Sequence, residues 1–336
     1  MENLSRTIIF NNKPSIISTY SIVGPKEKNG QLGRCFDCAL DDDRFGESTY
    51  EKAECKMFST AIKKVISKAK LKEDEIGLFL GGDLLNQIIS ASFCARDFDI
   101  PFLGLYNACA TICEGMIIGS IAVDGNYVKN AVVGAVSHFA TAERQYRYPL
   151  ELGSVRPAQS QWTVTGSGAF TFTSHQKGFP SITSATVGKV VDFGVTDANN
   201  MGAAMAPAAC QTIYLHLKAT DTKPEDYDLI VTGDLGALGS RILKKLLKEK
   251  GCSIDDNHVD CGELIYNIDE KVFQGGSGAG CSSVVFASYL YPMMKNKKIK
   301  KILLAATGAL LSTVSTQQGE SIPGICHAVC VEVLDD

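Results

Sequence analysis

Short continuous apolar runs alternate along this chain with longer stretches whose apolar residues recur at helical spacing. The run at 15–23, SIISTYSIV, is β-rich and stops at Gly24-Pro25, which predicts a strand. Residues 26–48 are polar, charged and punctuated by glycine, and read as a long surface loop. From 50 to 70, Met57, Phe58, Ala61, Ile62, Val65 and Ile66 share one helical face, with lysines on the other. A strand leads into Gly81-Gly82-Asp83, and a helix is predicted over 84–98. NAVVGAV at 130–136 is a continuous apolar strand that ends at Ser137-His138. Residues 141–161 are polar and aromatic and carry Arg144, Arg147 and Arg156. A glycine-interrupted strand at 163–173 and a helix at 207–218 follow.

The chain is organised around residues 101–125, PFLGLYNACATICEGMIIGSIAVDG. A strand-length apolar run reaches Tyr106, and a small-residue apolar segment of helical length begins at Ala110. Cys109 therefore falls on a tight strand-to-helix turn near a helix N-terminus, where unpaired amides favour an anion or a lowered thiol pKa. The competing reading is a small core cysteine.

The second half repeats this grammar. Gly82-Asp83-Leu84 and Gly233-Asp234-Leu235 align without a gap, each at the end of a predicted strand. KNAVVGA at 129–135 matches KKILLAA at 300–306. Between them, Gly275, Gly276, Ser277 and Gly278 lead into an apolar segment in the place of the Cys109 helix. Such a duplication predicts two similar α/β halves, at 1–175 and 176–336, whose central helices converge on one cleft.

With 336 residues and 45% hydrophobic content, the chain can bury a large core. A net charge of −4 gives no basic field for nucleic acid. The N-terminus lacks the apolar stretch of a signal peptide, and no apolar run is long enough to span a bilayer. Twelve scattered cysteines fit free thiols in a reducing compartment. Cys35 and Cys38 form a lone CxxC without matching zinc ligands, and Cys326, His327 and Cys330 lie in an apolar run, so neither metal nor cofactor is expected.

PFLGLYNACAT, SHFATAERQYRYP, TVTGSGA, MGAAMAPAA, VFQGGSGAGCS and ATGALLSTVSTQQGESIPGICHAV resemble the stage V sporulation protein AD family of spore-forming bacteria, within the thiolase-like superfamily. The resemblance spans roughly residues 15–332. It implies a layered αβαβα fold with buried central helices. It also implies binding of pyridine-2,6-dicarboxylic (dipicolinic) acid, with or without calcium, for uptake into the developing spore. Other stage V sporulation A membrane proteins are the implied partners, at the spore inner membrane or from the cytoplasm. A homodimer is expected, through the strand after the nucleophile helix, residues 130–136.

Type III ketoacyl synthases of this superfamily pair their cysteine with a histidine and an asparagine. By resemblance these fall within 231–235, where the chain has Gly233 and Asp234, and near Gly276. Their loss points to a binding site on an enzyme scaffold. The alternative is a Cys109-dependent acyltransferase. Candidate ligand-binding residues are Cys109, His138, Arg144, Asp234, Gly276, Ser277 and His327. His138 and Arg144 offer charge-assisted hydrogen bonds, and the glycine-run amides offer more. Packing competes for each: His138 at a strand end, Arg144 in a surface ion pair, Asp234 capping the next helix and His327 in the core. Asp83 or Asp234 could also present oxygen to calcium.

Overall fold

The computed structural model describes residues 6–147, 150, 153–267 and 272–334. In chain order the first half supplies β1 (Ser15–Val23), β2 (Leu78–Gly82), β3 (Phe102–Gly104), β4 (Asn130–Ser137) and β5 (Gly166–Thr173). The second supplies β6 (Ser181–Thr186), β7 (Leu229–Thr232), β8 (His258–Asp260), β9 (Lys301–Ala309) and β10 (Gly324–Glu332). Across the sheet the first half runs β3-β2-β4-β5-β1 and the second runs β8-β7-β9-β10-β6, so the two match strand for strand. They join where β1 meets β6 at the Ser15–Ser181 pair, whose hydroxyls lie 2.8 Å apart. The duplication legible in the chain is thus a duplication of sheet topology.

Helices cover this sheet in layers. α1 (Tyr50–Lys68) and α2 (Ile89–Ala95) belong to the first half, with α3 (Thr111–Asp124) and α4 (Phe139–Tyr146) after them. The second half adds α5 (Met201–Ala219), α6 (Gly236–Glu249) and α7 (Ala279–Val285), the last running on through a π turn to Lys295. α1 lies on β5, β1 and β4, and α5 lies on β10 and β9. α3 and α7 are central. α3 packs on β4 and β2 of its own half and on β9 and β10 of the other, while α7 packs on β5, β4 and β1 across the divide. Ile112, Met116, Val284 and Phe286 are fully buried there, and each such side chain stabilises the fold by about 1.5–3 kcal/mol. The approach is close: a Cβ on Gly168 of β5 would sit 2.4 Å from the Ser283 backbone of α7.

Several elements differ from the sequence pattern. Residues 84–88 are irregular, with Gln87 and Ile88 at positive φ, so the helix predicted from 84 starts only at Ile89. The cause is Asp83, whose carboxylate accepts from the amides of Leu85 and Ala91, both at 2.7 Å, and folds the segment around itself. α5 starts at Met201, capped by the Asn200 side chain, and takes Pro207 into its interior. The 26–48 loop contains a short helix (Pro25–Lys28) and a two-residue strand (Cys38–Ala39) on β1. β4 is paired on both sides, with β2 and β5, so no second subunit can add to it. Among the described residues the sheet ends at β3 and β8.

Candidate functional site

The turns before α3 and α7 meet at a cavity of about 320 Å³. From the first half, Ala108 and Cys109 form a 3-10 turn between β3 and α3. Ala108 holds a left-handed φ of 49°, an unusual conformation for a residue with a side chain and one found at functional turns. From the second half, Ser277 and Gly278 lead into α7, and Gly278 has φ 109°, which favours glycine. Ser137, at the end of β4, accepts from the Gly280 amide at 3.0 Å and donates to the Val164 carbonyl at 2.7 Å, tying the start of α7 to the first half.

Asp234 lies behind this junction, 1% exposed. Its carboxylate accepts from Thr307 Oγ1 at 2.7 Å and from the Gly278 amide at 3.1 Å, and the Cys109 thiol donates to it. Burial pushes the Asp234 carboxyl up to about 6, against these three hydrogen bonds. Burial, then the Asp234 carboxylate, pushes the Cys109 thiol well above its ordinary value. Cys109 is therefore a neutral thiol at neutral pH, although it sits where a helix N-terminus could favour a thiolate.

The cation at the cavity is Arg147, just past α4. Its side chain is 6% exposed. Nη1 pairs with Glu143 one turn earlier, Nη2 meets only the Met201 sulfur at 3.5 Å, and Nε has no partner among the described residues. Glu143 also pairs with Arg156 at 2.6 Å, whose Nη1 donates to the Gln161 carbonyl at 2.8 Å. Gln161 Nε2 in turn donates to the carbonyls of Asp234 (2.7 Å) and Gly276 (3.0 Å). One polar chain thus runs from the cavity wall to the carbonyl of Asp234. Tyr146, Tyr106, Ser312 and Ser315 add hydroxyls to the wall, between apolar Leu84 and Met201.

Of the residues singled out in the sequence, Cys109 and Ser277 line the cavity and Asp234 contacts Cys109. Gly276 lies one residue back, paired with Trp162, and presents its carbonyl to Gln161. His138 is fully buried and turned elsewhere: Nδ1 accepts from the Ala140 amide at 3.1 Å as the cap of α4, and Nε2 lies 2.7 Å from the Asp43 carbonyl. Arg144 pairs with Glu51 at the surface, 2.5 Å apart. His327 is held behind Cys109, between the Gly188 amide (3.0 Å) and the Asn107 side chain (2.7 Å). Its Nδ1 accepts from Gly188, so the neutral ring carries its proton on Nε2, facing the Asn107 side-chain amide. Burial pushes His327 down to about 4, which keeps it neutral. Asp234 does not cap α6. Asp260 does, accepting from Leu235 and Gly236, while Asp83 caps the equivalent segment of the first half. Asp83 and Asp234, the two expected to offer oxygen to calcium, instead turn their carboxylates to protein donors: backbone amides for Asp83, and an amide, a hydroxyl and the Cys109 thiol for Asp234.

Sequence reasoning passed over Arg147, Gln161 and Tyr146. The available signal was the Glu143–Arg147 spacing of four, which places the pair on one helical face. The run FATAERQY is only eight residues long and mostly polar, and its one short apolar face, Phe139, Ala142 and Tyr146, is easily lost in the polar stretch around it.

A sequence model of stage V sporulation protein AD matches residues 4–332. The stage V sporulation protein AD of Bacillus subtilis (strain 168) is 45% identical over 327 residues, covering 97% of this chain and 96% of that protein. Among solved structures, 3-oxoacyl-[acyl-carrier-protein] synthase III from Aquifex aeolicus VF5 is similar with a TM-score of 0.58 at 16% identity, over 95% of this chain and 99% of that one. Acetamide-bound OleA from Xanthomonas campestris is similar with a TM-score of 0.61 at 15% identity, over 97% and 100%. These likenesses show a thiolase-like fold. No helix among the described residues is long and apolar enough to cross a membrane. By the match along nearly its whole length, the chain belongs to the stage V sporulation protein AD family.

Proposed function

We propose that the cavity beside Cys109 binds dipicolinic acid as its dianion, without turning it over, for delivery into the developing spore. The observation that carries this reading is Arg147. Its guanidinium is buried at the cavity, with Nε and Nη2 meeting no oxygen among the described residues. A buried donor without an acceptor costs about 1–3 kcal/mol, and a carboxylate from a ligand would remove that cost. The cavity is small, at the low end for organic ligands, and suits one aromatic ring. The ring would lie between Leu84 and Met201, with the hydroxyls of Ser277, Ser312 and Tyr106 for the second carboxylate.

The state of Cys109 supports binding over catalysis. Acyl transfer needs a thiolate and a base, yet the nearest ionisable partner of the thiol is an aspartate that holds it protonated. No histidine lines the cavity among the described residues. We further propose that the protein works at the membrane with membrane-protein partners, as a homodimer, with the exposed edge strand β3 rather than β4 meeting the second copy.

Calorimetric titration of the protein with pyridine-2,6-dicarboxylate tests the binding reading. Saturable one-site binding is expected, lost on blocking the cavity with Ser277→Trp; no heat and no displacement of a fluorescent analogue would end it. The strained turn at Ala108 and the fold shared with synthases favour one second reading, an acyltransferase. Incubation with an acyl thioester and mass analysis of Cys109 separates the two.

A further inference from the structure

We infer that Asp234 takes up a proton when an anion occupies the cavity beside Cys109, so that ligand binding and proton uptake are one event. The inference rests on the anion-binding reading above and adds its regulation.

Asp234 is a buried carboxylate held by dipoles alone. Its three donors are the Gly278 amide, the Thr307 hydroxyl and the Cys109 thiol. No lysine or arginine pairs with it among the described residues. Two of those donors, Gly278 and Cys109, belong to the cavity wall, so Asp234 stands one residue behind the ligand space. An anion drawn there by Arg147 brings a second negative charge beside a carboxylate that is itself buried from water. Two buried charges of one sign are costly, and the usual resolution is that one takes a proton.

The neighbouring ionisable groups leave Asp234 as the one that can do so. Cys109, Cys261, Cys281 and Cys326 already hold their protons, each pushed well up by burial. Arg147 keeps its charge. Asp260, lifted by burial to about 7 and so already partly protonated near neutrality, lies further back, accepting from Thr232 Oγ1 and three backbone amides, none of them at the cavity wall. Asp234 has the intermediate affinity the role needs. Burial lifts it to about 6, so in the empty site near neutral pH it is mostly ionised, and a modest further rise protonates it. The ligand cannot take the proton itself, since ordinary carboxyls are ionised above about pH 5.

The sign follows. Binding raises the Asp234 pKa, so protons are taken up between its empty-site and occupied-site values, and affinity falls as pH rises through that window, by up to about tenfold per pH unit. Asn fits in its place: its Oδ1 can accept from Gly278 while its Nδ2 donates to the Thr307 hydroxyl.

The test is calorimetry of pyridine-2,6-dicarboxylate binding to the full chain, in buffers of different ionisation enthalpy, from about pH 5 to about pH 8. Wild type should take up close to one proton per ligand near neutrality and almost none at the acid end. Asp234→Asn should bind with no uptake and with affinity that no longer changes with pH. Binding heat that does not depend on buffer overturns the inference and leaves the binding reading standing. Uptake that persists in Asp234→Asn also overturns it. Absence of any binding heat in wild type removes the reading itself, and the inference with it. Should the variant not fold, the wild-type buffer series still decides.

Discussion

Replacing Arg147 with Gln is the sharpest perturbation of the proposed site. It removes a buried cation whose Nε and Nη2 lack oxygen partners, while Glu143 keeps Arg156 at 2.6 Å and so is not left alone. Hydrogen bonds to charged groups are worth about 1.5–3 kcal/mol each. Two donors on one carboxylate do not add in full, so the loss should be about 3 kcal/mol, roughly a hundredfold in Kd. The fold should lose at most a few degrees in Tm. Trp162 is the only tryptophan, next to Thr163 of the cavity wall and stacked on Phe139 at 3.9 Å, so its fluorescence can report occupancy at fixed salt. Arg144→Gln is the internal comparison. That guanidinium pairs with Glu51 at the surface, and its loss should leave affinity unchanged. A folded Arg147→Gln protein that binds dipicolinate as wild type does would refute the reasoning, because no other observation singles out this cavity as an anion site.

Other outcomes follow from the same geometry. Cys109 should alkylate slowly at neutral pH and faster in Asp234→Asn, since the carboxylate helps to keep the thiol protonated; mass spectrometry after iodoacetamide reads this directly. His138→Ala should lower Tm without changing ligand affinity, because the ring caps α4 at a cost on loss of about 1 kcal/mol and faces away from the cavity. Glu54 and Asp83 are buried carboxyls raised by burial, Glu54 further by Asp83 and Asp83 to about 6. A raised folded pKa means the native state holds more protons than the unfolded chain above the ordinary carboxyl range, so this contribution to stability is lost as pH rises through the folded value. Thermal stability should therefore fall as pH rises from the ordinary carboxyl range through about 6, and more shallowly in Glu54→Gln; a parallel pH profile in that variant would count against the pair.

Much of the fold could be read from pattern because continuous apolar runs leave little choice. β1 occupies the whole of SIISTYSIV, and β4 extends the predicted 130–136 run by one residue. The duplicated Gly-Asp-Leu and lysine-led strands announced the repeat, and with it the meeting of the Cys109 and Gly278 turns. What the pattern did not carry was anything set by a long-range partner. α4 is short and polar, and its direction is fixed by the His138 cap, by Trp162 stacking on Phe139 and by the Glu143 ion pairs. Which of three arginines reaches the cavity depends on that direction, so Arg144 and Arg147 look equivalent in the chain and are not in the fold. The segment after β2 reads as helix by composition but is drawn out of it by one buried carboxylate.

The two aspartates of the repeat show how a duplicated scaffold acquires a one-sided site. Asp83 and Asp234 stand at equivalent strand ends, before equivalent helices, and a reader of the chain would give them one role. In the first half Asp83 performs it, accepting from Leu85 and Ala91. In the second half Asp260, at the end of the neighbouring strand β8, takes the same duty by accepting from Leu235 and Gly236 and then from Glu263. With the backbone of its own helix satisfied by another residue, Asp234 is free to rotate toward Gly278, Thr307 and Cys109. The ionisable group behind the cavity therefore depends on a capping residue on a different strand. Asp260→Asn should loosen the start of α6, draw Asp234 back toward those amides, and weaken the proton coupling of ligand binding even though Asp260 touches no ligand. Proton uptake identical to wild type in a folded Asp260→Asn protein would break this link.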